Sequence, residues 1–194
     1  STLERASVVL SGNRGASITG SGGLAAANTI MLGEGRVQST AVTLAGNRAD
    51  AVQSSGYAAQ AGGGLLFSAR QQSAALANSL AVTGSQLDAA RLAIADNTAS
   101  RLTARGGALL DNSVALESDA DAASRLSATG AMTGNTASDM TTTADAVSAA
   151  GGLAGRESRA RAAANAVVLH DGALVDASSP WLIAGNSARG VHAT

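Results

Sequence analysis

The chain has 194 residues, of which 45% are hydrophobic, 2% are aromatic and 14% are charged, with a formal net charge of −1. Most of the hydrophobic fraction is alanine, which buries little surface per residue, so a compact centre of large side chains is excluded. The absence of cysteine excludes disulfides and thiolate metal sites. A nearly balanced charge, with arginine as the only basic residue besides histidine, argues against an extended nucleic-acid-binding face.

Short apolar segments, separated by Gly, Asn, Asp and Ser, predict β-strands because they contain Val, Ile or Thr or alternate large and small side chains. The polar separators supply the positive φ angles that corners need. Two alanine-rich stretches, 69–92 and 144–166, have helix propensity as an alternative, but glycine interruptions favour strands there too. In chain order the predicted strands are 7–10, 28–32, 40–45, 64–69, 78–82, 91–95, 113–117, 166–170 and 181–185.

Asparagine recurs at two kinds of position, one after an aliphatic segment ending in Gly or Asp, and the other just before an aliphatic segment. Members of each set recur at an offset of 84 to 88 residues, as in the pair Asn13 and Asn97, and diglycines keep similar offsets. This spacing predicts one domain over 1–194 with super-repeats at about 13–96 and 97–185 and a partial third at 186–194. The two sets are Asn13, Asn47, Asn97, Asn135 and Asn186, and Asn28, Asn78, Asn112 and Asn165.

With Gly63 and Gly151 standing in where an asparagine is missing, the landmarks recur about every 17 residues, too short a step for helical hairpin repeats. We therefore predict an all-β fold: a β-solenoid of about 17 residues per turn, with roughly eleven turns in two tandem five-turn super-repeats. A narrow solenoid also explains the small side chains. Each asparagine either stacks its amide in a hydrogen-bonded column along the axis or serves as a left-handed corner, and both roles can coexist.

Both ends of the sequence lie in the repeat motif and resemble no polar cap, so we expect the ends of the solenoid to be open. Open ends that carry the same repeat can stack head to tail into a filament. Trp181, in the last predicted strand, is either a docking residue or a local plug of the final turn. The candidate subunit interface is Val8, Val9, Leu10, Trp181, Leu182 and Ile183.

The repeat style, with motifs such as ARQQSAALANSLAV at 69–82 and VTLAGNRADA at 42–51, resembles the secreted functional-amyloid proteins of Gram-negative bacteria. Fap-type fibre subunits and holdfast-anchor proteins are the families concerned, over most of residues 5–191. The resemblance implies export to the extracellular space or cell surface, β-solenoid stacking, and a role in biofilm matrix or attachment. This chain is richer in alanine and arginine than those fibres, which carry more Asn and Gln.

A second resemblance is to the heads of trimeric autotransporter adhesins, through NSLAVT at 78–83 and NSVALE at 112–117. Those heads repeat at about 14 residues, to which the offset of 84 to 88 residues does not reduce cleanly. This alternative implies an intertwined trimer instead of a fibre stacked end to end.

The sequence offers little for catalysis, and we expect no catalytic, cofactor or metal site. His170 and His192 lack serine and carboxylate partners in register, so a polysaccharide-acting β-helix enzyme ranks last among the functions considered. Glu117, Asp119 and Asp121 resemble a calcium loop only loosely. The expected partner is a second copy of the chain, with surface polysaccharide as a further possibility through outward arginines, and neither nucleic acid nor a membrane span is expected. Those arginines are Arg14, Arg48, Arg101 and Arg189.

Overall fold

The fold is all-β, as predicted, with no helix among the residues that the structure describes. The computed structural model describes residues 2–21, 24–55, 73–105, 107–118, 122–143, 161–170, 172–176 and 180–194. Eight of the nine predicted strands coincide with observed strands, and the ninth, 64–69, lies outside the described residues. The described parts of both alanine-rich stretches are strand instead of helix.

Seventeen strands make up the described part of the chain. In order they are β1 (Thr2–Ser11), β2 (Arg14–Ser21), β3 (Leu24–Ala27), β4 (Ile30–Ala45), β5 (Arg48–Ser55), β6 (Ser73–Ala77), β7 (Leu80–Ala95), β8 (Thr98–Arg105), β9 (Gly107–Asp111), β10 (Val114–Glu117), β11 (Arg125–Thr133), β12 (Thr136–Thr143), β13 (Arg161–Ala164), β14 (Val167–His170), β15 (Leu174–Val175), β16 (Trp181–Ala184) and β17 (Ser187–Ala193).

These strands form three parallel sheets, which the chain visits in a fixed rotation. Sheet A holds β1, β4, β7, β10, β11, β14, β15 and β16. Sheet B holds β2, β5, β8, β12 and β17, and sheet C holds β3, β6, β9 and β13. The chain passes from A to B to C and back to A, and each strand pairs with the strand one coil away. The result is a stack of coils joined by parallel main-chain ladders, with neighbouring strands about 4.8 Å apart.

The predicted turn of about 17 residues, and with it the count of eleven turns, is corrected by the strand register. Val8 pairs with Val42, Val42 with Leu92, Leu92 with Gly130 and Gly130 with Trp181, at separations of 34, 50, 38 and 51 residues. In the described chain, sheet B accordingly has five strands, one from each of five successive coils.

The landmarks explain the error, because each of the first four coils contains one asparagine of each kind. Asn13 and Asn28 lie at different corners of the same coil. Counting every landmark as one turn, with Gly63 and Gly151 included, therefore divides a coil into two or three turns. The 84-residue offset from Asn13 to Asn97 spans two coils, through Asn47. The division of the chain into super-repeats stays a prediction.

Two separate apolar clusters fill the interior of the described coils. The large core lies under sheet A, and the alanine core lies between sheets B and C. The buried side chains of the large core are Val42, Leu44, Leu80, Val82, Leu87, Ala89, Leu92, Ile94, Val114, Leu116, Leu126, Ala128, Met132 and Ala173. Those of the alanine core are Ala25, Ala27, Ala49, Val52, Ala75, Ala77, Ala99, Leu102, Ala104, Leu109, Ala137 and Met140.

Candidate functional site: asparagine columns and end coils

All nine predicted asparagines fall into two hydrogen-bonded columns that run along the stack. The first column stands at the corner between sheets A and B, and the second at the corner between sheets C and A. The first column contains Asn13, Asn47, Asn97, Asn135 and Asn186. The second column contains Asn28, Asn78, Asn112 and Asn165.

Each step of the first column is a double hydrogen bond. The backbone N–H and the Nδ2–H of Asn47 both donate to Oδ1 of Asn97, over 2.9 and 3.0 Å. Asn97 repeats the arrangement toward Asn135, over 3.1 and 3.0 Å. The second Nδ2 hydrogen points back into sheet A, where that of Asn97 donates to the Leu44 carbonyl over 2.9 Å. Asn47, Asn97 and Asn135 are fully buried, so the column satisfies polar groups that water does not reach.

The second column connects with the first. Nδ2 of Asn78 donates to Oδ1 of Asn112 over 3.0 Å and to the Thr98 carbonyl over 3.0 Å. Thr98 directly follows Asn97, so the two columns lie side by side. The first column also bonds sheet A carbonyls next to the large core, and the second stands at the end of sheet C next to the alanine core. The columns therefore form a polar spine between the two apolar cores.

The two columns differ in backbone conformation, which resolves the two roles that the sequence left open. Asn28, Asn78, Asn112 and Asn165 all have φ between 46° and 53°, so they are both left-handed corners and ladder residues. Asparagine tolerates this region better than most residues. In the first column the preceding residue takes the left-handed conformation instead: Gly12, Gly46, Asp96, Gly134 and Gly185 have φ between 54° and 66°.

The columns have a direction, because every amide donates toward the coil that follows it in sequence. Among the described residues, Oδ1 of Asn13 has no donor, which leaves an acceptor at the first coil. At the last coil Asn186 accepts from Asn135 and donates one Nδ2–H to the Met132 carbonyl. Its backbone N–H and second Nδ2–H have no acceptor in the described chain. One end of the first column is an acceptor and the other end is a donor.

The candidate interface residues of the first coil lie in β1, which pairs only with β4 in the described chain. Val8 and Leu10 face inward and pack, half-buried, against the large core. Val9 faces outward and is 61% exposed.

The candidate interface residues of the last coil lie in β16, which pairs only with β11 in the described chain. Ile183 belongs to an inward column, yet it is 52% exposed because no described strand covers it. Leu182 faces outward and is 57% exposed. The structure therefore places the six predicted residues at opposite ends of the stack.

Trp181 packs against the large core at the last coil. Its ring lies over Gly130, where a Cβ atom would overlap the ring. The indole Nε1 is buried without a hydrogen-bond partner. These contacts make the ring part of the surface that a covering strand would meet, and both interpretations of Trp181 stay predictions.

A buried carboxyl that the sequence analysis missed lies in sheet C. Asp111 is fully buried, and neither of its side-chain oxygens has a hydrogen-bond partner. Its register partners are Ala77 and Ala164, and the nearby N–H of Asn112 donates to the Ala77 carbonyl instead. Burial raises the pKa of the Asp111 carboxyl well above its usual range, which the Asn112 N–H opposes only in part.

An ion pair on the outward side of sheet B lowers the pKa of a carboxyl, whereas burial raises that of Asp111. The guanidinium of Arg101 contacts both carboxylate oxygens of Asp50, and Ser100 donates to the same carboxylate over 2.8 Å. Arg101, followed by Ser100, lowers the pKa of Asp50 to about 2. Both side chains are partly exposed, so the pair adds little stability.

The residues considered for catalysis or calcium do not come together in the described chain. Asp119 and Asp121 and the His170 side chain lie outside what is described, while Glu117 is half-buried in β10 and His192 is exposed in β17. Within the described ranges no group of three His, Cys, Asp or Glu side chains could hold a metal ion.

In the part of the chain covered by the structure, no helix has the length and apolar character needed to cross a membrane. No family model, curated protein or solved structure matches the chain.

Proposed function

We propose that the protein is a structural subunit of a self-assembling extracellular filament, with its coils stacking head to tail. The observation that supports this most is the pair of uncovered end coils. β16 and β17 at one end, and β1 and β2 at the other, present free main-chain edges in the described chain. Unpaired parallel edges are templates for further strands. A filament of this kind serves in biofilm matrix or surface attachment.

Hydrogen-bond complementarity supports a head-to-tail contact between copies. Asn186 offers a backbone N–H and an Nδ2–H at the last coil, and Asn13 offers Oδ1 at the first. These are the same groups that form each internal step of the first column. Contacts between two like ends would bring donor to donor or acceptor to acceptor, so the column favours one polarity.

Apolar complementarity points the same way. Leu10 and Ile183 occupy opposite ends of one inward column, and Val9 and Leu182 occupy opposite ends of one outward column. Stacking a second copy in register would cover Ile183 with Leu10 and continue the large core across the junction. The inward column is Leu10, Leu44, Ile94, Met132 and Ile183.

The end strands define where the junction is made. In the described chain, β16 and β17 are uncovered at the last coil, and β1 and β2 are uncovered in the same two sheets at the first coil. In-register stacking therefore pairs β16 with β1 and β17 with β2. We infer that sheets A and B make the junction.

The trimeric-adhesin alternative requires strands from three chains in one coil. Here the described strands of all three sheets pair within a single chain, which favours end stacking. The low-ranked enzyme alternative stays a prediction.

Ile183→Glu tests the proposal at the junction. The substitution places a carboxylate between Met132 and the next copy's core, where burying an unpaired charge is costly. Because Ile183 is half-exposed in the single chain, we expect folding to be retained by circular dichroism, and filament mass in sedimentation and electron microscopy to fall at least about tenfold. Wild-type filaments should give a meridional fibre reflection near about 4.8 Å.

The matched control is Thr103→Glu, which adds the same charge to an exposed position of a central coil. This variant should assemble like the wild type. A wild-type chain that stays monomeric at high concentration by light scattering contradicts the proposal, as does a discrete trimer. Equal assembly of the Ile183→Glu variant and the wild type would also contradict it.

A further inference from the structure

Sheet B carries a surplus of positive charge on its outward side. Its strands contain five exposed arginines and only two acidic residues, Asp50 and Asp139. The strands of sheet A carry four arginines and four acidic residues, and the whole chain has a net charge of −1. The positive charge is therefore concentrated on one side, which we name the arginine face. Its arginines are Arg14, Arg48, Arg101, Arg105 and Arg189.

Two of these arginines lie next to each other without a counter-ion. Arg14 and Arg48 are register partners in adjacent strands, so their backbones are about 4.8 Å apart. Neither makes an ion pair within the described residues, and the nearest acidic residue in sequence, Asp50, is engaged by Arg101. Like charges at paired positions are unfavourable. An external anion between the two guanidiniums would remove that repulsion.

Hydroxyl side chains continue the row of the two arginines. This outward row crosses all five strands of sheet B, and every member is exposed. The hydroxyl groups donate and accept hydrogen bonds as sugar hydroxyls do. The row is Arg14, Arg48, Thr98, Thr136 and Ser187.

We propose that the arginine face binds a carboxylated polysaccharide that lies across the strands of sheet B. Guanidinium groups hold carboxylates through two parallel N–H···O bonds, which gives both charge and geometry for uronate groups. The hydroxyls of Thr98, Thr136 and Ser187, which continue the same row, then contact the sugar hydroxyls. The face belongs to a single chain, so this binding does not depend on filament formation.

A nucleic acid is the other polyanion to consider, and the face suits it less well. Its outward rows contain no Phe, Tyr or Trp on which a base could stack. The surplus of three positive charges is also below the six to ten phosphate contacts typical of a tight duplex binder.

The test measures binding of the 194-residue chain to immobilised polygalacturonate by biolayer interferometry, at concentrations at which size-exclusion chromatography shows single chains. We expect Arg14→Gln with Arg48→Gln to weaken binding at least about tenfold, since each carboxylate loses a charge-assisted pair. Added salt should weaken wild-type binding, and neutral dextran should not compete.

The matched control pair is Arg91→Gln with Arg125→Gln, which removes the same charge from exposed positions of sheet A. This pair should bind within about twofold of the wild type. Equal losses in the two pairs would show that net charge alone matters and overturn the proposal. Tighter binding to duplex DNA than to polygalacturonate, lost in the same arginine variants, would also overturn it. Because single chains are measured, neither result depends on the filament proposal.

Discussion

Replacing Asn97 with alanine is expected to destabilise the fold by about 3–5 kcal/mol. The side chain sits at the middle of the first column and is fully buried. Its Oδ1 accepts two hydrogen bonds from Asn47, and its Nδ2 donates to Asn135 and to the Leu44 carbonyl. Alanine leaves at least two of these buried partners unpaired, and each unpaired buried group costs about 1–3 kcal/mol.

Urea unfolding monitored by circular dichroism gives the free energies to compare, at protein concentrations without filaments. Asn13→Ala is the matched control, because Asn13 has the same role at the exposed end of the same column. The Asn13→Ala variant should lose about 1 kcal/mol of unfolding free energy, since water can reach the groups that the substitution leaves unpaired. Equal losses of unfolding free energy in the Asn13 and Asn97 variants would show that the buried hydrogen bonds of the column stabilise the fold no more than its exposed ones.

The strands were predictable because each is a local pattern. Segments such as 91–95 alternate inward Leu and Ile with outward small residues, and the register confirms that Leu92 and Ile94 face the large core. The length of the coil was not predictable by the same means. It depends on which asparagine stacks on which. Asn13 donates to Asn47, which lies 34 residues later in the chain, and the Asn28 corner lies between them in sequence.

The division of the interior into two cores could not be predicted from local sequence patterns either. A composition dominated by alanine predicted one thin core, whereas the structure has a large core under sheet A and an alanine core between sheets B and C. The short strands of sheet C lie opposite sheet B, and the small side chains there are what a narrow gap admits. The polar spine separates the two cores.

The site was predictable in its residue types but not in its contacts. Asparagine spacing identified both columns, yet only the backbone angles separate the corner role of Asn28 from the ladder role of Asn13. The Asp–Asn sequence at 111–112 gave no sign that the carboxyl is buried, because the other residues of its column are alanines. The arginine face depends on register too, since Arg14 and Arg48 become neighbours only when β2 pairs with β5.

The second large effect is expected at Asp111. The substitution Asp111→Ala should stabilise the fold at pH 7 by about 1–3 kcal/mol. The native carboxyl is buried between Ala77 and Ala164 with no partner for either oxygen, and desolvating an unpaired polar group costs about that much. The neighbouring strands β8 and β12 offer no compensation, because their charged side chains Arg101, Arg105 and Asp139 are exposed on the outward side. Alanine is also the residue at the paired positions of the neighbouring strands, Ala77 and Ala164.

The gain should depend on pH in a defined direction. Burial raises the folded-state pKa of Asp111 above its unfolded value, so the folded state retains the proton more strongly. The stability that this protonation contributes is fully present below the unfolded pKa and is lost as pH rises through the folded pKa. The advantage of Asp111→Ala over the wild type should therefore grow with rising pH.

The lowered pKa of Asp50 changes stability with pH in the opposite direction, and it does so at a lower pH. Its folded-state pKa of about 2 lies below the usual value of 3.8, so its contribution is present above that usual value and is lost only as pH falls toward 2. Urea unfolding between pH 5 and 8 therefore excludes the contribution of Asp50, and the difference between the wild type and an Asp111 variant in this window isolates Asp111. Asp111→Asn, which keeps the shape but cannot ionise, should share the flat pH profile of the alanine variant. A wild-type profile parallel to both variants across this window would show that Asp111 does not ionise there on unfolding, and would contradict the assignment of a buried, unpaired carboxyl to sheet C.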